Sequence, residues 1–373
     1  MTAISPSATD GQNNSTELGS VPPVTDMPVI DPAVAERYCR RVLPGVSRTF
    51  ALSVRVLPGT LGTAVLTAYL ICRIADTVED APNMPAGDKA RLLDILSAAL
   101  SDSAAGRAFP RTAKDVAGDP AHVGLVMHAD QVFALYHSLP NGTRAHIARW
   151  VEEMVRGMKK FVLLYPNGIR IQTLEEYREY CYYVAGTVGY MLTDLWQEHT
   201  PSIRPALYQK LRERCRAFAE ALQTVNILKD VAQDVERENS IYVPENSLRT
   251  HGSSHETILS PSHVSRNREA LGELIRLAWL DLEEALGYLL LVPRRAFRIR
   301  LFCILPLLFA FATMRELTRT TAMLVSGGHV KISRREVKTL LLLGPVIAPS
   351  NRAVRWVADR VGGGGGLGVK GSD

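Results

Sequence analysis

Three carboxylates crowd into five positions at Asp76, Glu79 and Asp80, inside the stretch "ICRIADTVED" at 71–80, straight after an apolar run. A helical reading puts all three on one face, where like charges at that spacing cost roughly a few tenths of a kcal/mol per pair. Such crowding suits either a solvated helix end or a place where something strongly positive sits between the carboxylates. A second polar stripe occurs in "ALQTVNILKDVAQDVER" at 221–237. There Gln223, Asn226, Asp230, Asp234 and Arg237 are spaced 3, 4, 4 and 3 along an otherwise apolar segment. Bare carboxylates are very costly to bury, so this stripe calls for pairing, a metal ion or a wet cavity. One acidic pair at i,i+4 is ordinarily a solvated face. Two such stripes facing one another across a cavity would suit Mg²⁺, which binds carboxylate oxygens, keeps part of its water and bridges to phosphates. Such ions, with Arg and Lys, would stabilise a diphosphate leaving group as a C–O bond ionises.

The elements that must position these groups read as helices. Helical patterns cover about 31–44, 50–81, 88–104, 119–138, 141–164, 173–198, 203–238, 263–291, 296–325 and 332–343, with almost no alternating strand signal. Their breakers include Pro58-Gly59, Pro82, Pro140-Asn141-Gly142, Pro166-Asn167-Gly168, Pro201, Pro244 and Gly327-Gly328. Residues 1–30 and the glycine run near the C-terminus lack a folding pattern, so disorder is expected at both ends. The polar stretch 244–262 is the one long loop expected inside the body, of a length often used for a lid or a binding segment. The longest apolar run, "LFCILPLLFAFA" at 301–312, contains Pro306 and is shorter than the ~20 residues of a spanning helix. A buried helix is expected there. Its basic flanks Arg298, Arg300 and Arg315 leave a shallow membrane contact open.

Bulk composition narrows the classes further. The 373 residues are 46% hydrophobic and 22% charged, ordinary for a globular chain with a sizeable core. The net charge of +5 reads as dispersed, which fits an anionic small substrate or membrane surface and is too weak for nucleic acid. Five scattered cysteines (39, 72, 181, 215 and 303) without a CxxC pair read as reduced thiols. His251 and His255 have ligand-like spacing, but the Gly-Ser-Ser between them predicts a loop and no metal site. No signal peptide pattern opens the chain, so a cytoplasmic location is expected.

The motifs together resemble the squalene/phytoene synthase family of head-to-head prenyl-diphosphate condensing enzymes, from about Tyr38 to Leu343. "SRTF" at 47–50, "CRIADTVED" at 72–80, "YCYYVAGTVG" at 180–189 and "NILKDVAQD" at 226–234 look like four family motifs in the family order. "SRTFALSVRVLP", "DTVED" and "GGHVKISRREVKTLL" at 327–341 are most similar to the bacterial-type squalene branch, while "YCYYVAGTVG" suits phytoene synthases equally.

The resemblance implies an all-α fold: a single-domain isoprenoid synthase helical bundle at 31–345 around a central apolar cavity, with 346–373 as a C-terminal tail. It implies that Asp76, Glu79, Asp80, Asp230 and Asp234 bind Mg²⁺ and two diphosphates, and that Ser47, Arg48, Arg73, Gln223 and Asn226 contact diphosphate. Tyr183 would handle a proton, with Asp76, Asp80, Asp230 and Asp234 also counted as catalytic, and Lys331 and Arg334 would hold NADPH. The small residues Ala185, Gly186 and Gly189 would let a prenyl chain or a neighbouring helix approach closely. The expected substrate is farnesyl diphosphate, two molecules per turnover, and the expected product squalene; presqualene diphosphate, hydroxysqualene, dehydrosqualene and phytoene remain alternatives. A non-catalytic assembly or lipid-binding protein is the reading from another class, and a terpene cyclase a weaker one. A monomer without nucleic acid is expected, with at most peripheral membrane contact because no C-terminal anchor pattern is present. One departure from the family pattern is Gln233, where a Glu is expected.

Overall fold

The computed structural model describes residues 29–363, apart from the side chains of residues 48 and 49. The disorder expected for the N-terminal segment and the glycine-rich end falls almost wholly outside the described residues. Within them the chain is all-α. Its only β feature is an isolated bridge between Arg170 and Ile241.

The first helices are α1 (Pro32–Val46), α2 (Arg48–Arg55), α3 (Gly59–Glu79), α4 (Ala86–Ser101), α5 (Ser103–Thr112), α6 (Pro120–Val126), α7 (Ala129–His137) and α8 (Asn141–Leu164). Next come α9 (Leu174–Cys181), a single π-turn at Tyr182–Gly186, α10 (Thr187–His199), α11 (Pro205–Arg212) and α12 (Cys215–Glu238). The chain closes with α13 (Glu245–Thr250), α14 (Val264–Ala270), α15 (Gly272–Leu291), α16 (Phe297–Arg319), α17 (Arg334–Ile347) and α18 (Asn351–Val361). Several segments expected as single helices are divided. The pattern over 50–81 breaks at Pro58-Gly59, where Gly59 turns the corner at φ +47°, a conformation that costs a residue without Cβ little. The pattern over 203–238 breaks between α11 and α12.

Two long helices form the centre. α3 is apolar on almost every side and buries Leu61 through Val78 against α1, α6, α7 and α8. α12 packs along α15 and also meets α10 and α16. Between α3 and α12 lies an apolar cavity of 140 Å³, closed by residues of α2, α8, α10 and α16. α3 and α16 are long and apolar enough to cross a membrane, but 78% of each apolar window is buried in the protein. They are core helices, as their all-round hydrophobicity would have it.

Three expectations change here. Arg300, read as a membrane flank, is fully buried. Its guanidinium donates to the carbonyls of Leu289, Val292 (2.6 Å) and Ala348 (2.7 Å) and to Asn351 Oδ1 (2.8 Å). Arg315 is likewise spoken for, pairing with Glu316 and with Glu336 at 2.8 Å. The helical body also extends past 345: α18 buries Val354, Val357 and Ala358, an i,i+3,i+4 stripe that only an amphipathic helix makes. Finally, the 244–262 stretch is no open lid. It folds into α13 and two short 3₁₀ turns, held by Glu245 Oε2 accepting from His255 N–H at 2.7 Å and by His255 Nε2 against the Val243 carbonyl at 2.8 Å.

Candidate functional site

Asp76, Glu79 and Asp80 occupy the last turn and the C-cap of α3, and Asp230, Asp234 and Glu238 lie along the last two turns of α12. Both helix ends carry the negative pole of the backbone dipole, a place that favours cations and penalises carboxylates. The chain nevertheless brings six carboxylates to these two ends. Asp76 lines the apolar cavity, while Glu79, Asp80 and Glu238 line a polar cavity of 420 Å³ that also holds Lys89 and Arg237. α3 thus lends carboxylates to both cavities.

The electrostatics are those of a cluster short of positive charge. Burial and the neighbouring Asp80 and Asp76 raise the Glu79 carboxyl well above the carboxylate range. Burial, then Glu238 and Asp76, do the same to Asp80. Asp234 is pushed up to about 8 by burial, Asp230 and Asp80. Glu238 also reaches about 8, through burial, Asp234 and Glu79. Among the nearby cations, Lys89 donates its ammonium to the Glu79 backbone carbonyl at 2.6 Å and Lys229 pairs with Asp230. Asp76 is also raised by burial, against which Arg73 works. Arg73 meets Asp76 at 3.3 Å and donates to Tyr69 Oη at 3.2 Å.

These residues fit a divalent cation. Glu79 Oε1 is buried without a hydrogen-bond partner, as is Arg73 Nε, so both an acceptor and an anion-binding donor are left unsatisfied. Among the described residues, no three His, Cys, Asp or Glu side chains converge tightly enough to hold an ion by themselves. That arrangement suits Mg²⁺, which keeps several waters and is completed by substrate phosphate.

The other expected residues divide. Gln223 and Asn226 line the apolar cavity two turns and one turn before Asp230. Ser47 caps α2, its hydroxyl accepting from Phe50 N–H at 3.1 Å, a structural task. The Arg48 side chain lies outside the described residues. Tyr183 sits on the π-turn, half-buried and outside the cavity lining, although its neighbours Val184 and Ala185 do line it. It rests on Gly157 of α8, where an added Cβ would fall 1.9 Å from Tyr183 Cγ. Gly189 serves helix approach: a Cβ there would come within 2.2 Å of the Cys215 carbonyl oxygen. Lys331 and Arg334 are exposed and make no ion pair among the described residues. The Gly327 turn that precedes them is tied to α12, since Glu236 accepts from Gly327 N–H at 2.9 Å and from the Ser326 hydroxyl.

Three residues of the site escaped the sequence reading. Glu238 extends the series 230–234–238, and that i,i+4,i+8 repeat is the available signal, whereas the polar stripe read from the sequence ends on the exposed Arg237. Tyr69 lies four residues before Arg73 and lines the cavity, a spacing also visible in sequence. Lys89 comes from the next helix and left no local trace.

Comparison with known proteins bears on the whole arrangement. The squalene/phytoene synthase family profile matches residues 43–336. Squalene synthase of Schizosaccharomyces pombe is 27% identical over 316 residues, covering 82% of this chain and 64% of that protein. Squalene synthase 1 of Arabidopsis thaliana is 25% identical over 279 residues, with 74% and 64% covered. The chain thus spans about 64% of the length of these relatives. Among solved structures, a ligand complex of TcSQS superposes with a TM-score of 0.75 at 21% identity, over 88% of this chain and 90% of that one. A dehydrosqualene synthase bound to a ligand gives a TM-score of 0.57 at 24% identity, over 85% and 98%. These two likenesses establish a shared helical fold.

Proposed function

The chain belongs to the squalene/phytoene synthase family, and on that premise we propose that it condenses two farnesyl diphosphates head to head and reduces the intermediate to squalene. The observation that carries this reading is the meeting of two carboxylate-laden helix C-termini, of which α3 lends Asp76 to an apolar cavity and Glu79 and Asp80 to a polar one. Asp76, Glu79 and Asp80 on one side and Asp230, Asp234 and Glu238 on the other are the groups that would hold Mg²⁺. When bound, that ion supplies charge neutralisation for the carboxylates and for a departing diphosphate. Arg73 keeps Asp76 oriented and offers its unpartnered Nε–H to a diphosphate oxygen. Gln223 and Asn226 add neutral polar groups to the wall of the apolar cavity.

Once the first farnesyl diphosphate ionises, the lining of Phe50, Val65, Ala68, Met154, Leu222 and Phe302 keeps water from the allylic cation, which would otherwise be trapped as an alcohol. The cation alkylates the double bond of the second molecule. A proton leaves to close the cyclopropane of presqualene diphosphate, and Tyr183, held on Gly157, is the assigned phenol. Tyr69, inside the cavity and hydrogen-bonded to Arg73, stands where a second proton-handling or cation-facing group belongs. Lys331 and Arg334, unpaired and beside the turn anchored to α12, suit the phosphates of NADPH, which when bound supplies the closing hydride. A cytoplasmic enzyme that meets its lipid substrates at a membrane surface fits this chemistry.

Product analysis after incubation with farnesyl diphosphate and Mg²⁺, with and without NADPH, tests the reading. Squalene is expected only with NADPH, and presqualene diphosphate without it. A product that is the same in both incubations contradicts the reductive step. Turnover of geranylgeranyl diphosphate alone would make the chain a phytoene-type synthase.

A further inference from the structure

α17 and α18 form an antiparallel hairpin laid along α16. α17 starts beside Arg315 through Glu336, and its Gly344 packs 3.0 Å from Leu305, measured to the position of an added Cβ. α18 starts beside Arg300 through Asn351 and ends with Gly362 against Phe311. Both helices therefore turn one side to α16 and the other to solvent.

The solvent sides are unusual in two respects. Apart from Val29 at the start of the described chain, Leu342 (77%), Val346 (73%) and Trp356 (66%) are the most exposed large apolar side chains. The exposed positions of α17 form one stripe, Arg334, Arg335, Lys338, Thr339, Leu342, Pro345 and Val346, with basic groups giving way to apolar ones along the helix. Charge is concentrated on the same hairpin. Residues 334–360 hold six Lys and Arg against Glu336 and Asp359, so this segment carries +4 of the chain's net +5. The positive excess that reads as dispersed along the sequence is gathered on one face, and Glu336 is already paired with Arg315.

We propose that the α17–α18 hairpin is a membrane-docking face for an anionic lipid surface, with Leu342, Val346 and Trp356 entering the interface and Arg335, Lys338, Arg352, Arg355 and Arg360 pairing with acidic headgroups. Exposed apolar side chains ringed by cations match such a surface in both chemistry and sign, and indole is suited to the boundary between water and acyl chains. A soluble acidic partner would match the cations and leave the apolar stripe without a complement. α16 lies against both this face and the apolar cavity, since its Phe302 lines the cavity while Leu301 and Leu305 support α17. Docking itself requires no particular product, so it stands apart from the proposed reaction.

Trp356 makes the test direct, because the other three tryptophans, Trp150, Trp196 and Trp279, are buried. The full chain is mixed with vesicles of phosphatidylglycerol or of phosphatidylcholine, and both tryptophan emission and co-sedimentation are read. A blue shift with phosphatidylglycerol is expected, and Trp356→Phe should abolish the shift while retaining co-sedimentation. The Leu342→Ser/Val346→Ser and Arg352→Glu/Arg355→Glu double variants should each weaken vesicle binding by about tenfold or more, with unchanged melting temperature as the check on folding. Failure of the wild-type chain to sediment with phosphatidylglycerol at low salt overturns the proposal. So does binding that both double variants retain, or vesicle-free self-association that Leu342→Ser/Val346→Ser abolishes, since the face would then serve a second copy of the chain.

Discussion

Glu238 is the residue that most alters the picture of the site. With Gln233 in place of an expected carboxylate, α12 would be one charge short, yet Glu238 returns a carboxylate to the cluster one turn beyond Asp234. Glu238→Gln should therefore raise the Mg²⁺ concentration needed for half-maximal turnover by about tenfold, the effect typical of losing one supporting metal contact. It should also raise the melting temperature of the metal-free protein by relieving repulsion. Tyr183 is controlled from beneath. Gly157→Ala places a methyl group where the phenol ring lies, an overpacking worth about 1–3 kcal/mol, and is expected to lower kcat more than it changes KM. Asp194 makes a different prediction, away from the site. Burial would raise its carboxyl, but His146, Trp150, Tyr208 and Arg212 outweigh that and hold it at about 2. Its stabilising share, about 2 kcal/mol, is present above pH 4 and lost as pH falls toward 2. Acid unfolding followed by circular dichroism should show Asp194→Asn losing less stability across that window than the wild type does.

At the scale of elements, the fold treats helix C-termini in two opposite ways. Where α15 and α17 end, it supplies its own cation: Arg300 donates to carbonyls at both ends and satisfies them fully inside the protein. Arg300→Ala strands three carbonyls and Asn351, and chemical denaturation should register a loss of about 3 kcal/mol or more. Where α3 and α12 end, it adds carboxylates instead. That inversion is the electrostatic basis of the proposed cation site. It also sets a pH dependence. Asp234 and Glu238 sit near 8 in the folded protein against about 4 when unfolded. The metal-free protein therefore loses stability as pH rises from about 4 to 8 and regains it as pH falls through that range. Thermal melts in EDTA should show this trend, and Mg²⁺ should flatten it. The cavity between the two helices, at 140 Å³, is below the ~300 Å³ at the small end of ligand pockets. Met154, Met191 and Leu222 in its wall are the flexible side chains expected to give way to a prenyl chain.

For the whole molecule, what could be read in advance was whatever repeats at short range. The apolar patterning announced the helices, and the spacing of Asp76, Glu79, Asp80, Asp230 and Asp234 announced two acidic faces in the right register. Features that depend on distant packing stayed hidden. The contact of Gly157 with Tyr183 joins α8 to the π-turn, and Arg300, whose neighbours suggested a membrane flank, finds its partners on three other segments. Ser47 carried a motif resemblance, and its hydroxyl also caps α2 by accepting from Phe50 N–H, a task the motif did not reveal. The 244–262 loop looked free because its polar residues bond to each other and to neighbouring backbone, which composition does not reveal.

The central claim is that the two carboxylate-bearing helix ends together ionise an allylic diphosphate. Its most direct test is the rate of diphosphate release from farnesyl diphosphate as Mg²⁺ is titrated from zero, for the wild type, Asp80→Asn and Asp234→Asn. No release is expected in EDTA, with saturable activation by Mg²⁺ and a fall of about 100-fold or more in each variant, one on either helix. Release that persists in EDTA, or that survives either substitution at the wild-type rate, would contradict it.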